Sequence, residues 1–278
     1  MLLIVGASGQ LGKALVKLLP KNAIAASSKQ LDITNFDAVN AFVASYKVTV
    51  IVNCAAYTKV DQAEVEKDLA YQVNYIGALN LAQTGAKIIH ISTDYVFDGA
   101  KVSPYIELDQ PNPQSVYGET KLLGERAVLE FAKSAIVIRT SWLYSLTGSN
   151  FVTTMLSLGQ NKSHIKVVAD QFGTPTCVDD LAIAIVKILP TFQFSQQDIY
   201  HFANDGVCSW YDFAVAVMNY AKLDCEVLPI TTDQYPTKAK RPQYSALDST
   251  KIQTKFKLIP SSWSCVLQKQ LQQSLVID

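Results

Sequence analysis

The chain opens on four apolar residues, Leu2-Leu3-Ile4-Val5, that run straight into Gly6-Ala7-Ser8-Gly9-Gln10-Leu11-Gly12. An apolar run followed at once by three glycines at GxxGxxG spacing, and then by an amphipathic stretch, has few ways to fold. A strand must end, the backbone must turn tightly, and a helix must start close against the strand. The first turn of that helix carries unpaired N–H groups and the positive end of the helix dipole, which suits the pyrophosphate of a dinucleotide. Gly6, Gly9 and Gly12 are therefore candidate cofactor-binding residues.

The same alternation continues downstream. Short β-branched runs at residues 2–5, 23–26, 48–52, 87–91 and 135–139 predict strands, and longer amphipathic stretches at 11–19, 35–46, 66–83 and 115–133 predict helices. The first helix is expected to stop before Pro20, whose ring and missing N–H break the ladder. Strands that alternate with helices build a parallel sheet covered on both faces, so the expected class is α/β, a Rossmann-type doubly wound parallel sheet. After Arg139 the pattern loosens into shorter periodic segments near 151–158, 178–188 and 210–221. We expect a dinucleotide-binding domain over residues 1–140, with a soft boundary that later segments can cross back over, and a smaller α/β substrate lobe over 141–278. A chain of 278 residues, 49% of them apolar, is long enough for both. A lobe packed beyond the carboxyl ends of the strands would close a cleft over the cofactor.

Charge and cysteine usage exclude other classes. With 24 basic and 24 acidic residues and no run of like charge, no long-range field favours nucleic acid or an anionic membrane, so an anionic ligand must be held by local groups. No stretch approaches 18 uninterrupted apolar residues, and the first residues read as a strand rather than a signal peptide, so a cytoplasmic protein is expected. Five scattered cysteines argue against a disulfide framework, and three histidines lack metal-ligand spacing.

The second strand ends in Ser27-Ser28-Lys29, where a site restricted to NAD usually presents a carboxylate to the ribose. That favours NADPH, or use of both NADPH and NADH, with a solvated Lys29 as the plain alternative. Asp32 and Ile33, after the next turn, are placed to meet the adenine edge. Asn53-Cys54-Ala55-Ala56, after the third strand, has small side chains that let backbone approach the cofactor ribose.

Tyr117 and Lys121 lie four apart on a predicted helix, hence one turn apart on one face. An ammonium beside a phenol is expected to lower its proton affinity toward neutrality. Thr93, in Ser92-Thr93-Asp94 at the end of the fourth strand, would present a hydroxyl at the same sheet edge, so Thr93 and Tyr117 together can hold a carbonyl oxygen. YxxxK alone is usually a helix surface pair; its order after the glycine turn and Thr93 makes it specific.

The ordered motifs GASGQLG, NCAAYTKVDQAE, STDYVFDG, VYGETKLLGE, RTSWLYS and DQFGTPT resemble the extended short-chain dehydrogenase/reductases, and among them the dTDP-4-dehydrorhamnose reductase family, over roughly residues 1–250. The resemblance implies NAD(P)H-dependent reduction of the C4 ketone of dTDP-4-dehydro-L-rhamnose by a triad of Thr93, Tyr117 and Lys121. Tyr117 would be the proton donor, and Lys121 would also bind the nicotinamide ribose. It further implies that Gly9, Gln10, Leu11, Asp32, Ile33, Ala56, Tyr57 and Thr58 line the cofactor, and that Thr93, Asp94 and Trp142 touch the sugar nucleotide. The resemblance also implies that Asn150 lies near the nucleotide, while its position before Phe151 suits a helix cap. Arg241, near Lys238 and Lys240, offers positive charge to a diphosphate or is a solvated basic loop; Trp142 is otherwise core packing, and 170–176 reads as a turn. Some family members pair through a metal held partly by a glutamate of the first helix; Ala14 stands there, so no metal is expected, while a homodimer stays open. Two alternatives remain: a reductase or epimerase of another nucleotide-linked keto sugar, and a non-catalytic dinucleotide-binding regulatory subunit.

Overall fold

A computed structural model describes residues 1–19, 23–192 and 197–274. Five strands fall at the expected runs: β1 (Leu2–Val5), β2 (Ile24–Ala26), β3 (Val50–Asn53), β4 (Lys87–Thr93) and β5 (Ala135–Thr140). A further strand, Gln197–His201, pairs with β5 at the sheet edge. All six are parallel, in the order β2, β1, β3, β4, β5 and then Gln197–His201. The chain thus reverses direction across the sheet at β1, and a doubly wound sheet places its ligand beyond the strand ends at that point.

Period-two alternation divides the strand residues between two cores. Ile4, Val52, Ile89 and Ile136 face helix α1 (Gln10–Leu18), while Leu3, Val5, Ile51, Ile88 and Val137 face helix α2 (Phe36–Ser45) and the Val116–Phe131 helix. The first helix ends at Leu18, and Pro20, which was expected to stop it, lies outside the described residues.

Two segments depart from the sequence reading, and a third lies beyond the soft boundary at residue 140. Helix Val178–Ile188 packs its stripe of Leu181, Ala182, Ile185 and Ile188 on the same core as α1. Its periodicity announced a buried face but not which element would bury it. Strand Gln197–His201 went unseen because it carries Gln197 and Asp198 at the edge, without a β-branched run. The helix expected over 66–83 is Lys67–Tyr71, a wide π-turn over Gln72–Ile76, and Gly77–Ala82. The wide turn aims Asn74 at the loop after β3: its amide accepts from Tyr57 N at 2.8 Å and donates to Tyr57 O and Thr120 Oγ1.

Residues after β5 also form a separate apolar cluster, including Tyr144, Val152, Phe213, Val217, Leu267 and Leu271. Helices Phe151–Asn161, Trp210–Ala221 and Trp263–Ser274 carry most of it. A parallel strand pair, His164–Val168 with Glu226–Ile230, adds Ile165 and Val167.

Candidate active site

The glycine turn has the form its spacing required. Gly6 adopts φ +75°, and a Cβ there would lie 2.6 Å from Ala55 N. A Cβ at Gly12 would collide with the Gly6 carbonyl oxygen, so this residue lets helix and turn close on each other. Gly9 caps α1 without a side-chain hydrogen bond, which leaves the first helical N–H groups open toward the turn. Leu11 packs its side chain into the core, so it offers a ligand only its backbone. These features fit the pyrophosphate of a dinucleotide: backbone donors, a dipole end and no obstructing Cβ.

A groove of about 750 Å³ flanks this turn, with Ser8, Gln10, Lys13, Ser27 and Gln30 on its walls. The Ser27 backbone and hydroxyl both donate to Gln30 Oε1. Asp32 turns one carboxylate oxygen onto Thr34 N and Oγ1, and the side chain of Ile33 is buried, so both are tied into their own loop. After β3, Ala55 N donates to Asn53 Oδ1, and Tyr57 donates its hydroxyl to Glu66 at 2.5 Å. Ala56 is half-buried and Thr58 exposed beside them.

Thr93 is the last residue of β4, and its hydroxyl donates to Asp94 Oδ1 while accepting from Tyr95 N. Tyr117 stands in the first turn of the Val116–Phe131 helix, started by the Ser115 cap on Gly118 N. The rings of Tyr95 and Tyr117 meet edge-on at 5.5 Å. Burial pushes the Tyr117 phenol up from its ordinary value; Thr93 pulls it down, and Asp94 and Tyr95 push it further up. This corrects the expectation that Lys121 would lower it. Lys121 is itself buried, drives its amine against Ile91 O at 2.5 Å, and is pushed down to about 8 by desolvation, with Glu125 opposing. A neutral phenol beside a hydroxyl donor is suited to giving a proton rather than taking one. Burial also holds the Asp94 carboxyl up at about 6, against hydrogen bonds that lower it.

A cleft of about 880 Å³ opens beyond this edge, between Asp61 and Tyr95 on one side and Phe151, Trp210, Lys238 and Arg241 on the other. Arg241 spans it: Nη2 reaches Asp61 Oδ2 at 2.5 Å and Nη1 donates to Tyr95 OH at 2.7 Å. The guanidinium is thus held by two partners far apart in sequence while remaining partly exposed. Trp142 sits at φ +47° and stacks face to face on Trp210, with ring centroids 3.5 Å apart. Asn150 caps the Phe151–Asn161 helix and donates to Gln10 Oε1 at 3.0 Å, which joins it to the glycine turn rather than to the cleft. Asp61, Tyr95 and Trp210 escaped the sequence reading, although Asp61 and Tyr95 lie inside the motifs KVDQAE and STDYVFDG. Ala14 is packed in the core, and among the described residues no group of acidic, His or Cys side chains is arranged to hold a metal. No helix among them is long and apolar enough to cross a membrane.

Residues 1–276 match the family model of the RmlD substrate binding domain. A dTDP-4-dehydrorhamnose reductase of Aggregatibacter actinomycetemcomitans is 45% identical, over 96% of this chain and 97% of the relative. Among solved structures, a dTDP-4-dehydrorhamnose reductase of Clostridium acetobutylicum superposes with TM-score 0.93 at 42% identity, covering 99% of both chains. One from Bacillus anthracis, in complex with NADP, gives 0.92 at 41% identity, covering 100% of this chain and 99% of that one.

Proposed function

The chain belongs to the family of the RmlD substrate binding domain, and on that premise we propose that it reduces the C4 ketone of dTDP-4-dehydro-L-rhamnose to dTDP-L-rhamnose with Tyr117 as proton donor. It is an NAD(P)H-dependent oxidoreductase of the dTDP-4-dehydrorhamnose reductase kind. The observation that carries the finer reading is the meeting of the Thr93 hydroxyl and the Tyr117 phenol at one strand end, with Lys121 one turn below.

The glycine turn, the α1 N-terminus, Ala55, Ala56 and Tyr57 would hold the dinucleotide, whose nicotinamide supplies hydride when bound. Tyr117, and Thr93 once its hydroxyl turns from Asp94, would donate to the sugar carbonyl oxygen and polarise it. As negative charge gathers on that oxygen, Tyr117 Oη releases its proton to it. Positioned acid catalysis of this kind supplies about 10²- to 10⁴-fold. Arg241, pinned between Asp61 and Tyr95, faces the cleft where the diphosphate would lie, and Trp142, backed by Trp210, flanks the sugar. Ser27, Ser28 and Lys29, with no carboxylate among them, favour NADPH or use of both NADPH and NADH.

Oxidation of NADPH in the presence of dTDP-4-dehydro-L-rhamnose tests this reading. Turnover is expected with that sugar; turnover confined to UDP-linked keto sugars, or none at all, would overturn it.

A further inference from the structure

Behind Lys121 lies a buried line of polar groups that the reaction itself does not use. Asn53 Nδ2 lies 3.0 Å from His90 Nδ1, and His90 Nε2 lies 3.5 Å from Lys121 Nζ. Asn53 and His90 are each 1% exposed and Lys121 is 2% exposed, so water does not mediate these contacts from outside.

The direction of every hydrogen bond in this line follows from one backbone group. Ala55 N donates to Asn53 Oδ1 at 3.1 Å, which fixes the amide so that its NH₂ faces the imidazole. His90 Nδ1 must then accept, and a neutral ring that accepts at Nδ1 carries its proton on Nε2. Burial and the neighbouring lysine both hold the ring neutral. The Nε2–H therefore points at Lys121 Nζ, where an amine accepts it and an ammonium does not.

We infer that His90 is a positioning residue for Lys121: through its Nε2–H it favours the amine form and turns the ammonium toward Ile91 O. The inference rests on the reading of Lys121 as part of the active site. Glu125 faces this lysine from its own helix, paired with Arg139 of β5 at 2.7 Å, and Cys54 faces it from the loop after β3 as a thiol that burial pushes up to about 12 and so keeps neutral. Glu125 favours the ammonium, so His90 opposes it. The same line ties the balance to Ala55, a residue of the cofactor loop.

The test uses the whole protein and two spectra that do not depend on turnover. Imidazole ¹⁵N spectra, with the His90 signals assigned by their loss in His90→Asn, are expected to show a pyrrole-type Nε2 and a pyridine-type Nδ1. Lysine ¹³Cε titration is expected to show Lys121 near 8 in the wild type. In His90→Asn, which keeps a partner for Asn53 but removes the N–H facing the lysine, Lys121 moves upward by about one unit. In His90→Gln, which restores an N–H at that place, it returns toward the wild-type value. A proton on Nδ1, or an unmoved Lys121 in His90→Asn, overturns the inference; if His90→Asn does not fold, the ring signals are assigned through His164→Asn and His201→Asn and the tautomer decides alone. Failure of the wild type to oxidise NADPH with the keto sugar would instead refute the proposed function, since neither spectrum measures it.

Discussion

Lys121 and Ile91 meet across the interface between the Val116–Phe131 helix and β4, with Nζ 2.5 Å from the carbonyl oxygen. A buried lysine held by one carbonyl is poorly solvated as an ammonium, and its folded value near 8 lies below the ordinary 10.5. Between these two values the unfolded chain binds more protons than the folded one, so this group makes stability rise with pH across that window. Lys121→Met is expected to be more stable than the wild type below pH 8, with the gap closing toward pH 10.5. Its turnover falls on the order of 100-fold. Thermal unfolding from pH 7 to 10.5, with NADPH oxidation at pH 7, checks both.

Asp94 titrates in the opposite sense. Its folded value near 6 lies above the ordinary 3.8, so the folded state binds more protons between the two and loses stability as pH rises through them. Asp94→Asn keeps the oxygen that accepts from Thr93 and removes the buried charge. Above pH 6 it is expected to exceed the wild type by on the order of 3 kcal/mol, with no difference below pH 4. Urea unfolding at pH 4 and pH 7.5 reads the gap.

The glycine turn makes a prediction about shape rather than charge. Gly12→Ala forces a methyl group against the Gly6 carbonyl and the Ala7 backbone, which have no room to yield. The expected loss is about 1–3 kcal/mol together with a marked loss of NADPH affinity, measured by denaturant unfolding and fluorescence titration. Unchanged affinity would separate this turn from the dinucleotide.

Arg241 is held by a fork that lysine does not reproduce, one arm on Asp61 and the other on Tyr95. Arg241→Lys is expected to raise KM for the sugar nucleotide about tenfold, equivalent to roughly 1.4 kcal/mol, with a smaller change in kcat. Steady-state kinetics with saturating NADPH distinguishes this from a general loss of activity.

Much of this was legible in the sequence wherever the signal was local. The turn from Val5 to Gly12, the five β-branched strands and the Tyr117–Lys121 spacing are each set by residues within one or two turns of each other. What stayed hidden was long-range. Asp61 and Arg241 are 180 positions apart, and nothing in either motif names the other. Helix Val178–Ile188 showed an apolar face without showing that α1 would cover it. The direction of the Tyr117 shift was misjudged because spacing reveals the nearby ammonium but not the desolvation around the phenol, and desolvation is the larger effect.

The proposal that the phenol of Tyr117 delivers the proton is tested most directly by Tyr117→Phe, which removes one oxygen from a half-buried ring and leaves the turn at Gly6 and the cap at Ser115 untouched. The measurement is kcat for NADPH oxidation with dTDP-4-dehydro-L-rhamnose, alongside NADPH affinity. A fall of about 10²- to 10⁴-fold with affinity preserved is the predicted result; turnover close to that of the wild type would contradict it.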